Sequence, residues 1–289
     1  MLDALDALLP WDFSPFVLAV TAGAAVLYVR GARAAVAPPS GRRFAFFAGL
    51  ALIYCALQTR WDYFASHMFF VHRLQHFALH DVGPFLLAFS APWALMASAL
   101  PRSAQDWLGA PHPVLGRLRR IVFDPWTATA LFVASLCFWV WPSVHFYAML
   151  STRIYDTMNW SVVLLDLPFW WLILDPRAPP EARLGQGTRI LMLSLVMIPM
   201  ILVGAIIGLA RHDLYPVYDI CGRFLPISAL TDQQIGGLII WIPGSLLTVF
   251  GALVCLRRAL HQSHAKELLR VQRLALAGRA AEPMSEPLR

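Results

Sequence analysis

Seven stretches of this chain are long, apolar and almost free of charge, which is more than a water-soluble core of 289 residues could hide. A helix needs roughly 20 mostly apolar residues to cross about 30 Å of hydrocarbon. Runs of this kind extend from Phe13 to Val29, Phe44 to Gln58, Ser66 to Leu100, Thr127 to Phe146, Trp160 to Leu174, Ile190 to Ala210 and Ile235 to Leu256. Composition agrees: 58% of residues are hydrophobic and 14% charged, whereas soluble domains carry about a quarter charged residues. The expected fold is all-α, a polytopic transmembrane helical bundle of about seven spans. Residues 1–256 form its membrane domain and 257–289 a basic cytoplasmic tail. Disorder is excluded because polar low-complexity tracts are absent. A disulfide-stapled module is excluded because Cys55, Cys137, Cys221 and Cys255 are scattered, with no C-x-x-C pair.

Lysine and arginine set the orientation, because they are retained on the cytoplasmic side far more strongly than acidic groups are excluded from it. The first connection holds Arg30, Arg33, Arg42 and Arg43; the third holds Arg102, Arg117, Arg119 and Arg120; the fifth holds Arg177, Arg183 and Arg189. The tail adds Arg257, Arg258, Lys266, Arg270, Arg273, Arg279 and Arg289, against only Arg60, Arg73, Arg153, Arg211 and Arg223 on the other side. An odd number of spans, with the N-terminus outside and the C-terminus cytoplasmic, satisfies every segment. The acidic start, with Asp3, Asp6 and Asp12, agrees with this and lacks the positive n-region of a cleaved signal peptide, so the first span is expected to be retained. The net charge of +6 is then a topology signal. It does not indicate a nucleic-acid partner, since no stacking aromatics interleave the basic residues. His261 and His264, in the tail, are expected to be solvated.

An ionisable group inside a membrane segment costs on the order of 2.5–3.5 kcal/mol by insertion scales, so each one needs a reason. Such groups cluster where the third run opens, at His67, Met68, His72, Arg73, Gln75, His76, His80 and Asp81. On a helix, His72, His76 and His80 fall within an arc of about 80° and over about 12 Å of rise. His67 lies about 140° from His72 and joins them only if the helix starts after it. Pro84 cannot donate to the carbonyl of His80, which predicts a kink just below the histidines. The stretch 67–101 is too long for one straight crossing, which places the histidine turns at or above the outer interface, accessible from outside.

Two imidazoles at i and i+4 can ligate one ion, and neutral imidazole suits copper and zinc. The alternative is an interfacial helix whose histidines bond to water and headgroups. His145 at the outer end of the fourth run, and Met68, Met149 and Met158 on the same side, can add ligands. Thioethers favour Cu(I), though a methionine is equally packing material. In the last outer connection, Thr231 or Asp232 is placed to cap the seventh helix. Gly236 and Gly237 then permit close approach of a neighbouring backbone. Asp232, Gln233 and Gln234 either cap and pack or border the histidine site.

Leu230-Thr-Asp-Gln-Gln-Ile-Gly-Gly-Leu-Ile-Ile-Trp-Ile-Pro-Gly244 resembles the last-span motif of the CtaG family of cytochrome c oxidase assembly factors. So do His72-Arg-Leu-Gln-His76 with the Gly83-Pro84 step and Ser90-Ala91-Pro92, Phe169-Trp170-Trp171, and Leu214-Tyr-Pro-Val-Tyr218. The resemblance runs from about Phe64 to Leu253. It implies a multi-pass protein of the bacterial plasma membrane that assists maturation of a haem-copper oxidase and takes part in copper delivery. The implied partners are the oxidase subunits and a periplasmic copper chaperone. The chain departs from the family pattern twice. Trp139-Val140-Trp141-Pro142 stands where the family shows Trp-His-x-Pro, with His145 displaced beyond the proline. Tyr155 and Asn159 stand where it shows His-x-x-x-His.

The first expectation is therefore a binding and transfer protein without turnover chemistry, holding copper through His72, His76 and His80. His67, Met68, His145, Asp232 and Gln233 are additional candidates. A haem-binding membrane cytochrome would need facing imidazoles, for which His76 and His145 are the available pair; no haem is expected. A copper permease would need ligands through several spans, and the inner halves offer only Met192, Met197 and Met200. A metalloenzyme lacks an acid/base partner of the H-E-x-x-H type.

Overall fold

The computed structural model describes residues 13–34, 37–177 and 181–281; Asp3, Asp6, Asp12 and Arg289 lie outside them. All regular structure among the described residues is helical. The chain runs through α1 (Pro15–Ala34), α2 (Ser40–Gln58), α3 (Arg60–His67), α4 (Phe69–His76), a π-helical turn (Phe77–Val82) and α5 (Gly83–Ser90). Short α6 (Trp93–Ser98), α7 (Arg102–Gly109) and α8 (Pro113–Val122) follow, then α9 (Pro125–Val140), α10 (Pro142–Met149) and α11 (Thr152–Leu174). The last elements are α12 (Gln186–Leu209), α13 (Val217–Cys221) and α14 (Ala229–Ala281).

Five helices are long and apolar enough to cross a bilayer: α1, α2, α11, α12 and residues Ala229–His264 of α14. α8 and α9, bent by 68° to one another, pass the same test only as a pair. Large side chains such as Ile206 (66% exposed) and Leu246 (64%) face outward, as lipid-facing side chains must.

Local sequence explains where the helices start and stop. Thr59 accepts from the Trp61 N–H at 3.3 Å and so opens α3 directly after α2. Asp124 accepts from Thr127 N–H at 3.0 Å, and Pro125 sits at the first helical position of α9, where its missing N–H costs nothing. The fourth apolar run breaks at Trp141-Pro142, and the fifth starts earlier than its apolar stretch suggests, at Thr152. The seventh continues through the tail without interruption as one helix of 53 residues. Its cap is Ser228, whose hydroxyl accepts from Thr231 N–H at 3.1 Å; neither Thr231 nor Asp232 has that role.

The third run departs most from expectation. It is no single kinked rod: the backbone is extended at Met68, widens into the π-turn, and reaches the left-handed region at Ala91. The widening has a cause in the sequence. Pro84 withdraws one N–H from the ladder, and the Gly83 N–H bonds to Ala78 O, five residues back. Only glycine fits at position 83, because a Cβ there would come within 2.7 Å of Ile53 on α2 and 2.8 Å of Ala78 O.

α12 and α14 pack backbone against backbone. A Cβ on Gly237 would meet Gly208 N at 2.4 Å and Gly204 O at 2.8 Å, and one on Gly204 would meet Gly237 O at 2.7 Å. These are backbone atoms and cannot swing aside, so the crossing depends on small residues in both helices. Beneath it the core is aromatic: Phe85, Phe132, Phe169 and Trp170 are buried against one another, with Phe85 and Trp170 edge to face at 5.1 Å. Replacing Gly237 by Val should destabilise the bundle by about 1–3 kcal/mol, read as a lower thermal midpoint in detergent. Gly116→Ala, in open space on α8, should leave the midpoint unchanged or slightly raised.

Candidate functional site

The histidine helix starts where it does because of a carboxylate far away in sequence. Asp232 on α14 accepts from Phe69 N–H (3.0 Å) and Phe70 N–H (2.8 Å), the first two amides of α4. Its Oδ2 also receives Arg223 Nε at 3.1 Å, and Arg223 in turn pairs with Asp219. Asp232 is fully buried. Gly236, one turn on, has no side chain to block the Phe69 ring, which a Cβ would meet at 2.3 Å. α14 thus caps and seats α4 together. Gln233 acts elsewhere. Its Oε1 accepts from Leu214 N–H at 2.6 Å, and its Nε2 donates to the Ile207 and His212 carbonyls, pinning the sixth connection.

With α4 so fixed, His72 and His76 lie one turn apart, their rings tilted by 33° with centroids 4.5 Å apart. His145, one turn into α10 after the Trp141-Pro142 break, meets His72 edge to face at 4.9 Å. All three are buried, with His72 and His145 wholly enclosed. This corrects the expectation that the histidines are open to water. The break at Met68 lets α3, α4, α10 and α13 fold over them, so the imidazoles sit inside the bundle.

The three imidazoles are not equivalent. His145 is held at both ring nitrogens, Nδ1 against Trp139 O at 3.2 Å and Nε2 against Tyr218 Oη at 2.9 Å. Among the described residues, neither nitrogen of His72 has a hydrogen-bond partner, and Nε2 of His76 has none either. A buried polar group left without a partner costs about 1–3 kcal/mol. Around them, Tyr155 Oη donates to Asp62 Oδ1 (2.8 Å) and Gln75 Oε1 (3.0 Å), while Gln75 Nε2 donates to Ala56 O (2.7 Å) and Asp62 (2.8 Å). The Tyr155 ring stands 5.8 Å from His72, so this position looks into the site although it carries a phenol. Asn159, one turn on, is buried with its Oδ1 unpartnered. Arg73 is buried beneath the group, its guanidinium 5.1 Å from the Phe69 ring centre, with Nε and Nη2 unpartnered.

Other expected members lie elsewhere. His80 is turned away by the π-turn: its ring packs on Phe132 at 4.3 Å and its Nδ1 lies 3.1 Å from Asp166 Oδ2, in contact but not aligned as a hydrogen bond. His67 ends α3, its Nδ1 bound to Tyr63 O (2.8 Å) and Ser66 Oγ (2.9 Å), outside the cluster. Met68 is buried, and it meets the histidine helix through its backbone carbonyl, which accepts from His72 N–H at 3.0 Å. Met149 and Met158 belong to apolar clusters, and the four cysteines are free. Asp166 is a residue that the motif search does not find, although a carboxylate in the middle of an apolar run is itself a signal. Between the two histidine sites lies a cavity of about 20 Å³, bordered by Arg73, His76, His80, Asp81, Ser135 and Met200, room for about one water.

Among the described residues, no three His, Cys, Asp or Glu side chains already surround a common ion position. The side chains with nitrogens free to take an ion are His72 and His76, with the His145 ring beside His72 and its Nε2 on Tyr218. These features define a helical membrane protein with a buried imidazole cluster held between its third apolar segment and α10. The chain belongs to the family of cytochrome c oxidase caa3 assembly factors, whose model matches residues 25–262. No curated protein and no solved structure matches it. The protein is accordingly an assembly factor whose partner is cytochrome c oxidase.

The cap makes a separable prediction. Asp232→Ala should lower stability by about 1–2 kcal/mol through loss of the α4 cap, more if Arg223 is stranded. Asp232→Asn, which keeps an accepting oxygen, should recover part of it in a denaturant or thermal titration.

Proposed function

We propose that the protein assists delivery of copper to the oxidase, accepting Cu(I) from the outer side and holding it transiently between His72 and His76. The observation that carries this reading is the pair of adjacent, buried imidazoles whose free ring nitrogens have no partner among the described residues. Copper here is cargo. Two neutral nitrogens suit a soft monovalent ion of low coordination demand, and His145 is positioned to add a third.

The orientation that serves this role has seven spans, with α4–π-turn–α5 as the third, the N-terminus outside and the tail cytoplasmic, in a bacterial plasma membrane. The arginine distribution supports it, as does the placement of the arginine-rich connections at the bundle end away from the histidines. A periplasmic copper chaperone is the natural donor on that side.

Geometry weighs against the competing readings. A haem between His76 and His145 would need a broad slot, and the adjoining cavity has room for about one water. Permeation would need a path inward, and below His80 the interior is filled by Phe132, Phe169, Phe85 and Trp170.

The test is Cu(I) titration of the purified chain against a competing chelator, paired with copper content and activity of the oxidase in cells. His72→Ala with His76→Ala should weaken Cu(I) binding at least tenfold and leave the oxidase short of copper. His145→Ala should weaken it less, and His67→Ala not at all. Unchanged copper binding and oxidase copper in the double variant would overturn the assignment.

A further inference from the structure

The end of the bundle away from the histidines carries polar groups that copper handling leaves unused. α12 begins after Gly185, which has no side chain to accept from the first free amides of the helix. Gln186 is only 7% exposed, and neither its Nε2 nor its Oε1 has a partner among the described residues. Arg189, one turn on, is fully buried. Its Nη1 donates to Ile173 O (3.1 Å) and Asp175 O (2.6 Å), while its Nε and Nη2 have no partner. Arg258 on α14 donates to Leu174 O at 2.9 Å, so two arginines close the C-terminus of α11. The Asp175 carboxylate is taken by Arg177 at 2.7 Å. What remains is positive: an uncapped helix N-terminus, spare guanidinium and amide donors, and the exposed Arg257.

Next to these donors α12 and α14 part to leave an apolar crevice of about 240 Å³, lined by Ile190, Leu193, Met197, Val249, Leu253 and Leu256. Gln186, Ile190, Leu193 and Met197 share one helical row, and Val249, Leu253 and Arg257 share another. By that spacing the two rows carry Gln186 and Arg257 to the end of the crevice nearest Ile190 and Leu256, and the crevice follows α12 for about 10 Å from Ile190 to Met197.

We infer that this crevice binds an anionic glycerophospholipid, with one acyl chain between α12 and α14 and the phosphate at the first amides of α12, Gln186 and Arg257. Charge complementarity selects the occupant. The mouth offers donors and positive charge, and a zwitterionic headgroup would bring an ammonium beside Arg257. Apolar walls select a lipid over a free anion, and anionic lipids are available at the leaflet that basic connections face. The inference does not depend on the copper reading.

The test uses the full chain, delipidated in detergent, and follows retained lipid by native mass spectrometry and the thermal midpoint. Phosphatidylglycerol should be retained and raise the midpoint, whereas phosphatidylcholine with the same acyl chains and inorganic phosphate should do neither. Arg257→Gln with Gln186→Ala should weaken phosphatidylglycerol retention at least tenfold. Ser194→Trp, which fills the crevice from its rim, should abolish retention while the circular dichroism spectrum is unchanged. Equal retention of the two lipids, protection by phosphate alone, or undiminished retention in both variants would overturn the proposal.

Discussion

One carboxylate organises the working end of the molecule. Asp232 supplies the acceptors for the first two amides of α4, and without them that helix would start inside the protein with bare N–H groups. Because Asp232 belongs to α14, the cap also fixes the position of the histidine helix against the longest helix of the fold. Arg223 completes the arrangement by neutralising Asp232 from the outer connection, so loop, α4 and α14 form one unit. Gly236 serves the same contact from the other direction, by letting the Phe69 ring lie against the backbone of α14. The histidines are therefore positioned from outside their own segment, and their geometry inherits the rigidity of the α12–α14 crossing.

That dependence explains what can be read from the sequence and what cannot. The membrane class and most helices are legible, since apolar length is a local property of the chain. Gly237 is legible as a contact residue for the same reason. Asp232 reads locally as a cap on its own helix, because a cap 163 positions away leaves no mark in local spacing. His80 groups with His72 and His76 only on a uniform 3.6-residue turn. The π-turn at Phe77–Val82 breaks that period and sends His80 to Asp166 instead. The burial of the cluster is also out of reach, since it depends on α10 and α13 closing over α4.

Displacement of a family histidine acquires a physical meaning in this light. His145 stands beyond the proline rather than before it, yet the extended backbone at Trp141 and the new helix start at Pro142 carry it to 4.9 Å from His72. Tyr155 and Asn159 form the other departure; the Tyr155 phenol bonds to the frame, tying Asp62 to Gln75, and the buried Asn159 Oδ1 has no partner among the described residues. The cluster is thereby reduced to a small set of nitrogens, of which those of His72 and Nε2 of His76 are uncommitted.

A site so reduced suits an ion that must leave again. Arg73 is buried on the same helix, next to His72 in sequence, and on the proposed copper role its charge would repel the bound cation. Coulomb repulsion scales with the charge of the ion, so a divalent metal suffers twice the penalty of Cu(I) at the same distance, most of all where water is excluded. Two free imidazoles provide attraction, Arg73 limits it, and His145 can be recruited or released as Tyr218 exchanges its hydrogen bond. On the proposed copper role, selectivity for a monovalent ion and ease of release would both come from the same buried guanidinium. Tight retention would instead call for a carboxylate or thiolate beside the pair, and the buried carboxylates Asp81 and Asp166 lie on the far side of the π-turn with His80.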